Sequence, residues 1–197
     1  LAAIKPDAPV LRRSDYSVGP VALSTAREFI VKHHYSGSAS NTAVAVHGLF
    51  DTFDRLVGVA QWIPPTKGAA LATYPEGDFR RVLALSRLAI APDVPQNGAS
   101  FLLGRSERLV RATRAWDCLV TYADTGEGHT GAIYRATNWQ YLGLTKPEYR
   151  WVDAEGRMVS RLSTKSRTVE QMHDLGYRRI GPFVKHKYRK VLIPRAA

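Results

Sequence analysis

Residues 81–124 read RVLALSRLAI APDVPQNGAS FLLGRSERLV RATRAWDCLV TYAD, and this stretch decides the fold. Arg81–Ile90 is an apolar run of strand length. Pro92 and Pro95 cut it off, because proline lacks a backbone donor and biases the residue before it away from helix. Gln96-Asn97-Gly98-Ala99-Ser100 then opens a helix running to about Arg114, with Leu102, Leu103, Leu109 and Val110 on one side and Arg105, Arg108 and Arg111 on another. Cys118–Tyr122 is a short buried strand ending at Ala123-Asp124. Strand, glycine-bearing loop, helix and strand in this order make the two strands neighbours joined by a right-handed crossover.

Working outward, residues 1–19 read as a proline-dotted arm with a short strand, turning at Gly19-Pro20. Thr25 and Glu28 have capping-box spacing, and a helix carrying Phe29, Ile30 and His33 stops at His33-His34-Tyr35 before Ser36-Gly37. Thr42–Phe50 and Leu56–Ile63 are β-branched, apolar runs around a turn and predict an antiparallel hairpin. Pro64-Pro65 ends it, and 66–79 read as a loop. Beyond Asp124, a polar glycine-rich turn leads to a short helix with Ile133, Tyr134 and Ala136, then a strand at Trp139–Leu142. Tyr149–Asp153 and Arg157–Leu162 predict a hairpin insertion near 149–162. A helix from about Thr168 to Leu175 precedes a basic terminal strand or tail over 177–197.

The chain has 197 residues, 45% of them hydrophobic, which suits one domain with one core and gives no sign of repeats or low-complexity sequence. The fold class is α+β, a mixed sheet flanked by helices. A lone cysteine excludes a disulfide framework, and Cys118, inside an apolar strand, reads as core. No apolar run approaches the roughly 18 residues of a membrane span. The first twenty residues carry charges and prolines where a signal peptide needs an apolar core. A cytoplasmic protein without membrane contact is therefore expected.

Net charge is +11, from 28 Lys+Arg against 17 Asp+Glu, so a polyanion is the expected partner. The excess is uneven. Arg178, Arg179, Lys185, Lys187, Arg189, Lys190 and Arg195 fall in an acid-free terminal stretch interleaved with Tyr177, Phe183 and Tyr188. Cations meet phosphates and rings stack on bases, which points to nucleic acid.

Helix, hairpin, long strand, glycine loop, helix, strand, helix, strand is the layout of the GNAT class of acyl-CoA-dependent N-acyltransferases. A helix N-terminus after a small residue is an anion site, so Gln96, Asn97, Gly98, Ala99 and Ser100 are candidates for a CoA pyrophosphate; Arg87, Leu88, Ala89 and Ile90 on the preceding strand are the other cofactor-binding candidates. The loop is a shortened form of the Gln/Arg-x-x-Gly-x-Gly/Ala pattern usual in that class.

His34-Tyr35-Ser36-Gly37, Leu56-Val57-Gly58-Val59-Ala60-Gln61-Trp62 with Pro64-Pro65, Leu85–Ile90, and Tyr122-Ala123-Asp124 followed by Tyr134 together resemble the Mom family over roughly residues 30–190. These are phage anti-restriction proteins that place a small carbamoyl-type group on the N6 amine of adenine in DNA. The resemblance implies a GNAT-like fold, double-stranded DNA as substrate, and a phage or prophage gene acting in a bacterial cytoplasm. It also implies an active site including His34, Tyr35, Asp124 and Tyr134, with Arg87 and Ser100 at an acetyl-CoA or related acyl-CoA cofactor. A homodimer is the assembly considered. Asp124 is the candidate acceptor of the amine proton.

A methylcarbamoyl group is an acetyl unit plus one nitrogen, so an oxidising metal enters the reading. Tyr35 and Asp124, with His34, form a nitrogen and oxygen set compatible with iron. Two alternatives stay open: a GNAT acetyltransferase acting on a small amine or a protein, and a non-catalytic DNA-binding protein on a GNAT scaffold. Asp124-Thr125-Gly126 also matches an aspartic-protease half-site, but that chemistry needs a second, symmetric aspartate.

Overall fold

The structure is a computed structural model describing residues 9–159 and 164–192. A seven-stranded sheet has the order β1 (Tyr16–Pro20), β2 (Ala45–Asp51), β3 (Leu56–Ile63), β4 (Val82–Ile90), β5 (Cys118–Asp124), β9 (Lys185–Val191), β6 (Gln140–Leu144). A separate two-stranded ribbon pairs β7 (Glu148–Val152) with β8 (Arg178–Phe183). Among the described residues five α-helices accompany these strands: α1 (Leu23–His33), α2 (Lys67–Thr73), α3 (Gly98–Ala112), α4 (Ala132–Ala136) and α5 (Val169–Asp174). No helix among the described residues is long and apolar enough to cross a membrane.

The sheet is antiparallel except at β4 and β5, which run parallel as the strand, loop, helix, strand order requires. Their register covers only Val82 with Cys118, Leu83 with Leu119 and Ala84 with Val120. Beyond Ala84 the strands diverge, leaving the edge of β4 that faces β5 unpaired. The core lies on both faces. α3 buries Leu102, Leu103 and Val110 against Trp62, Leu83 and Leu119, and α1 buries Ala26 and Ile30 against Val59 and Ala89. Cys118 is fully buried, and desolvation pushes its thiol up to about 11, which fits a core residue and not a nucleophile.

Polar atoms in this core are tied in pairs and triads. Ser106 Oγ accepts from Trp62 Nε1 at 2.7 Å and lies 2.7 Å from His47 Nδ1. Glu107 accepts from Trp139 Nε1 at 2.7 Å and pairs with Lys190 Nζ at 2.5 Å, joining α3 to β9. No buried side-chain polar atom lacks a partner among the described residues.

The structure corrects two local expectations and extends two others. The Thr25 capping box does not form: α1 starts at Leu23, and its N-cap, Ala22, gives no side-chain bond. The expected loop over 66–79 contains α2, because Thr66 Oγ1 caps Ala69 N at 3.3 Å and Ala69-Ala70-Leu71-Ala72 favours helix. The hairpin expected near 149–162 forms around its turn, with Asp153 N donating to Arg157 O at 3.0 Å and Val159 N to Trp151 O at 2.8 Å, and β7 takes a second, longer-range partner as well. That second partner is β8, while Val152 bridges Met158 within the hairpin; residues 160–162 fall outside the described residues.

The basic strand expected in 177–197 is present, but the β9 cations do not stand free. Residues 178–183 form β8 and residues 185–191 form β9, inserted between β5 and β6 with Tyr188 fully buried; residues 193–197 lie outside the described residues. The β9 cations are tied internally. Lys185 pairs with Glu148, Lys187 donates to Ala72 O, Arg189 pairs with Glu76 and bonds Gln140, and Lys190 reaches Glu107 and Thr137 O.

Glu107→Ala strands a buried indole N–H and a lysine, and should cost about 3 kcal/mol, read as a lower urea midpoint with unchanged slope. Burial lowers the pKa of His47 below 6.5. The unfolded chain therefore takes up this proton first, so the contribution is full above about pH 6.5 and is lost as pH falls towards the folded value. Urea midpoints should drop between pH 7 and pH 5, and His47→Gln should reduce that drop.

Candidate active site

The divergence of β4 from β5 opens a cleft of about 530 Å³. Its walls are Leu85–Leu88 and Ile90 of β4, Thr121–Ala123 of β5, Gly128–Tyr134, Ala99 at the start of α3, and His34 and Tyr35 after α1.

Buried Gln61 sets the position of the α1 end. Its side-chain amide accepts from Ser40 N at 3.0 Å and donates to Ser40 O at 2.9 Å, fixing the loop after Tyr35 to β3 as a strand neighbour would. Arg87 completes the tether from β4, with Nε on Ser38 O at 2.8 Å and Nη1 on Ser86 O at 2.8 Å. Burial lowers the Arg87 pKa, yet a guanidinium keeps its charge near neutrality, so a cation stands in the cleft.

His34 is pulled down to about 4 by desolvation, then by Arg87 and His129, so it is neutral at physiological pH. Ser36 N donates to Nδ1 at 3.2 Å, which places the ring proton on Nε2. Tyr35 is 55% exposed, stacks on His34 at 4.3 Å and meets His129 edge-on at 5.1 Å. Tyr134 is almost wholly buried, and desolvation raises its pKa, so the phenol keeps its proton. Gly131 starts α4 with φ +70°, and a Cβ there would sit 2.4 Å from the Tyr188 hydroxyl; only glycine lets α4 close over the cleft.

His34, Tyr35, Arg87, Leu88, Ile90, Ala99 and Tyr134 thus come together in one lining. Ala89 faces away, buried with α1. Asp124 stands beside the cleft and not in its lining: its carboxylate accepts from Gly126 N at 3.0 Å, bonds Arg150, and lies 3.7 Å from Lys185 Nζ. Of the glycine loop, only Ala99 reaches the cleft. Gln96 is exposed, and Gly98 is small because Val94 Cγ1 would lie 2.3 Å from its Cβ. Asn97 Oδ1 accepts from Leu11 N at 2.7 Å and gives α3 no side-chain cap. Ser100 Oγ donates to Asn97 O, and the residue faces a separate small pocket with Arg13, Arg105 and Arg108. His129, Ser86 and Thr121 also line the cleft. The sequence signal for His129 was a histidine between glycines directly after a strand end.

Iron does not fit the expected Tyr35 and Asp124 set. Arg150 and Lys185 already neutralise Asp124, and His34 Nδ1 is occupied by an N–H. Among the described residues no three His, Cys, Asp or Glu side chains converge as ligands. An acyl-CoA-type group fits better: the open edge of β4 suits an extended chain, and the first turn of α3 lacks a side-chain cap.

The fold matches solved N-acetyltransferases. The ribosomal-protein-S18-alanine N-acetyltransferase of Escherichia coli aligns with TM-score 0.54 at 9% identity, covering 92% of this chain and 96% of that one. The spermidine N-acetyltransferase of Vibrio cholerae, in complex with CoA and spermine, aligns with TM-score 0.53 at 9% identity, covering 91% and 97%. These likenesses show the GNAT-type acetyltransferase fold. In sequence, the chain is 28% identical over 134 residues to the methylcarbamoylase Mom of Escherichia phage Mu, covering 66% of this chain and 54% of that protein. The chain therefore spans about half the length of this curated relative. The profile of the Mom protein family matches residues 15–195, nearly the whole of the chain that folds around the cleft, and the chain belongs to that family.

Proposed function

We propose that this protein is a transferase that adds a small carbamoyl-type group to the N6 amine of adenine in double-stranded DNA. The observation that carries this reading is the cleft itself. It lies where the GNAT fold parts its central strands, and it is lined by aromatic rings, imidazoles and one arginine with no carboxylate. Polyamine substrates would meet like charge there. A flat heteroaromatic amine finds rings to stack on and hydrogen-bond donors to meet.

Residues toward an acyl-CoA-type cofactor are Arg87, Leu88 and Ile90 on the open strand edge and Ala99 at the α3 start. Such a group supplies an activated carbonyl for the amine to attack. A methylcarbamoyl product needs a donor carrying one nitrogen more than an acetyl thioester.

Adenine N6 is a weak nucleophile, because its lone pair is delocalised into the ring. Arg87 and the His34 Nε2–H stabilise negative charge gathering on the carbonyl oxygen. The Tyr134 phenol, held protonated by burial, donates a proton to the leaving group. The amine proton goes to His129, an imidazole in the lining with no hydrogen bond to another side chain among the described residues. Asp124 acts from behind: its carbonyl accepts from His129 N at 3.0 Å, and its carboxylate holds Arg150.

Mass analysis of nucleosides from cells expressing the chain should reveal a new adenosine species. Tyr134→Phe should lower its rate of formation by about a hundredfold with little change in stability. An unmodified adenosine pool would favour a small-amine or protein acetyltransferase, or a non-catalytic DNA-binding protein. Calorimetry should detect CoA binding, weakened in Ala99→Glu, which sets a carboxylate at the helix start. Ala99 suits this test better than Gly98, whose replacement would collide with Val94.

A further inference from the structure

β6 and β9 are adjacent antiparallel strands, and a tight hairpin would join them. Instead the chain leaves after Leu144 and returns at Lys185, building β7, α5 and β8 on the way. The neck of this excursion is clamped: Thr145 N donates to Lys185 O at 2.9 Å, and Thr125 Oγ1 donates to Val184 O at 2.7 Å. The ribbon is also fixed to the cleft wall. Arg150 bonds Asp124 and lies over the Phe183 ring at 4.5 Å, and a Cβ on Gly126 would meet that ring at 2.8 Å.

A β-strand alternates its faces, so if Arg150 points at the cleft, Tyr149 and Trp151 share the opposite face. Arg179 pairs with Trp151 in register, and its guanidinium lies 3.6 Å over the Tyr149 ring. Trp151 is braced edge-on by His173 of α5 at 5.2 Å. Tyr149 is 48% exposed, Arg179 is exposed, and Arg179 has no acidic partner among the described residues. The β9 cations are consumed inside the fold, so the charge expected to meet phosphates must be supplied elsewhere.

We infer that the outer face of the β7–β8 ribbon, built from Tyr149, Trp151 and Arg179, holds the DNA strand beside the cleft. This rests on the reading of DNA as substrate. Arg179, kept flat on Tyr149, turns its N–H edge towards a phosphate. The exposed ring offers a base a stacking surface close to the point where the target adenine leaves the duplex.

The test is fluorescence anisotropy of the full chain with a labelled duplex containing one unpaired adenine, titrated with salt. Tyr149→Ala should weaken binding about tenfold, the loss of one base stack, and Tyr149→Phe should retain it. Arg179→Gln should flatten the slope of log K against log salt by about 1. Arg108→Gln on the outer face of α3 should leave both unchanged. If both ribbon variants bind as wild type does, or if Arg108→Gln alone loses affinity, the ribbon is not the DNA surface, while the DNA reading stands. If the wild-type chain binds neither this duplex nor a fully paired one, the DNA reading fails and the ribbon assignment with it.

Discussion

Three residue pairs of parallel ladder hold β4 to β5, and the point where that ladder stops determines what the centre of the molecule can do. Past Ala84 and Val120 the two strands part, with their polar backbone edges facing a shared gap. Edges left open inside a protein need partners from somewhere. α4 closes one side over Gly131, the His34-Tyr35 loop closes another through Gln61 and Arg87, and α3 contributes its uncapped start. The cleft is the space those three pieces cannot fill.

Local pattern carries far along this chain. β3, β4, α3 and β5 are legible because each is an apolar run of the right period with proline, glycine or polar residues at its ends. The parallel order follows from the crossover rule. His34, Tyr35, Arg87 and Tyr134 meet in one cleft from positions spread over 101 residues, through elements whose order was readable.

What was not legible is long-range pairing. Sequence nearness announces the hairpin turn after β7, where Val152 bridges Met158, but no local cue announces that the same strand also pairs across α5 with β8. Charge is opaque for the same reason. Lys187 and Lys190 look free in a list of residues, yet Ala72 O and Glu107 hold them from 115 and 83 residues away. Nothing beside Asp124 in the sequence announces that Arg150, from within an insertion, pairs with its carboxylate. His129 sits in a polar turn, and only the fold sets Tyr35 edge-on against it.

The place of β9 has a consequence for how the molecule is assembled. Residues 185–191 lie between β5 and β6, both of which leave the ribosome earlier. During that interval the two flanking strands must stay apart, each with an open edge that would otherwise pair with its neighbour or with another chain. A strand made after both of its neighbours is thus the one that joins the two halves of the sheet. The Tyr188 ring that packs against Tyr134 at 5.3 Å arrives with it, so the walls of the cleft acquire their final spacing late in folding.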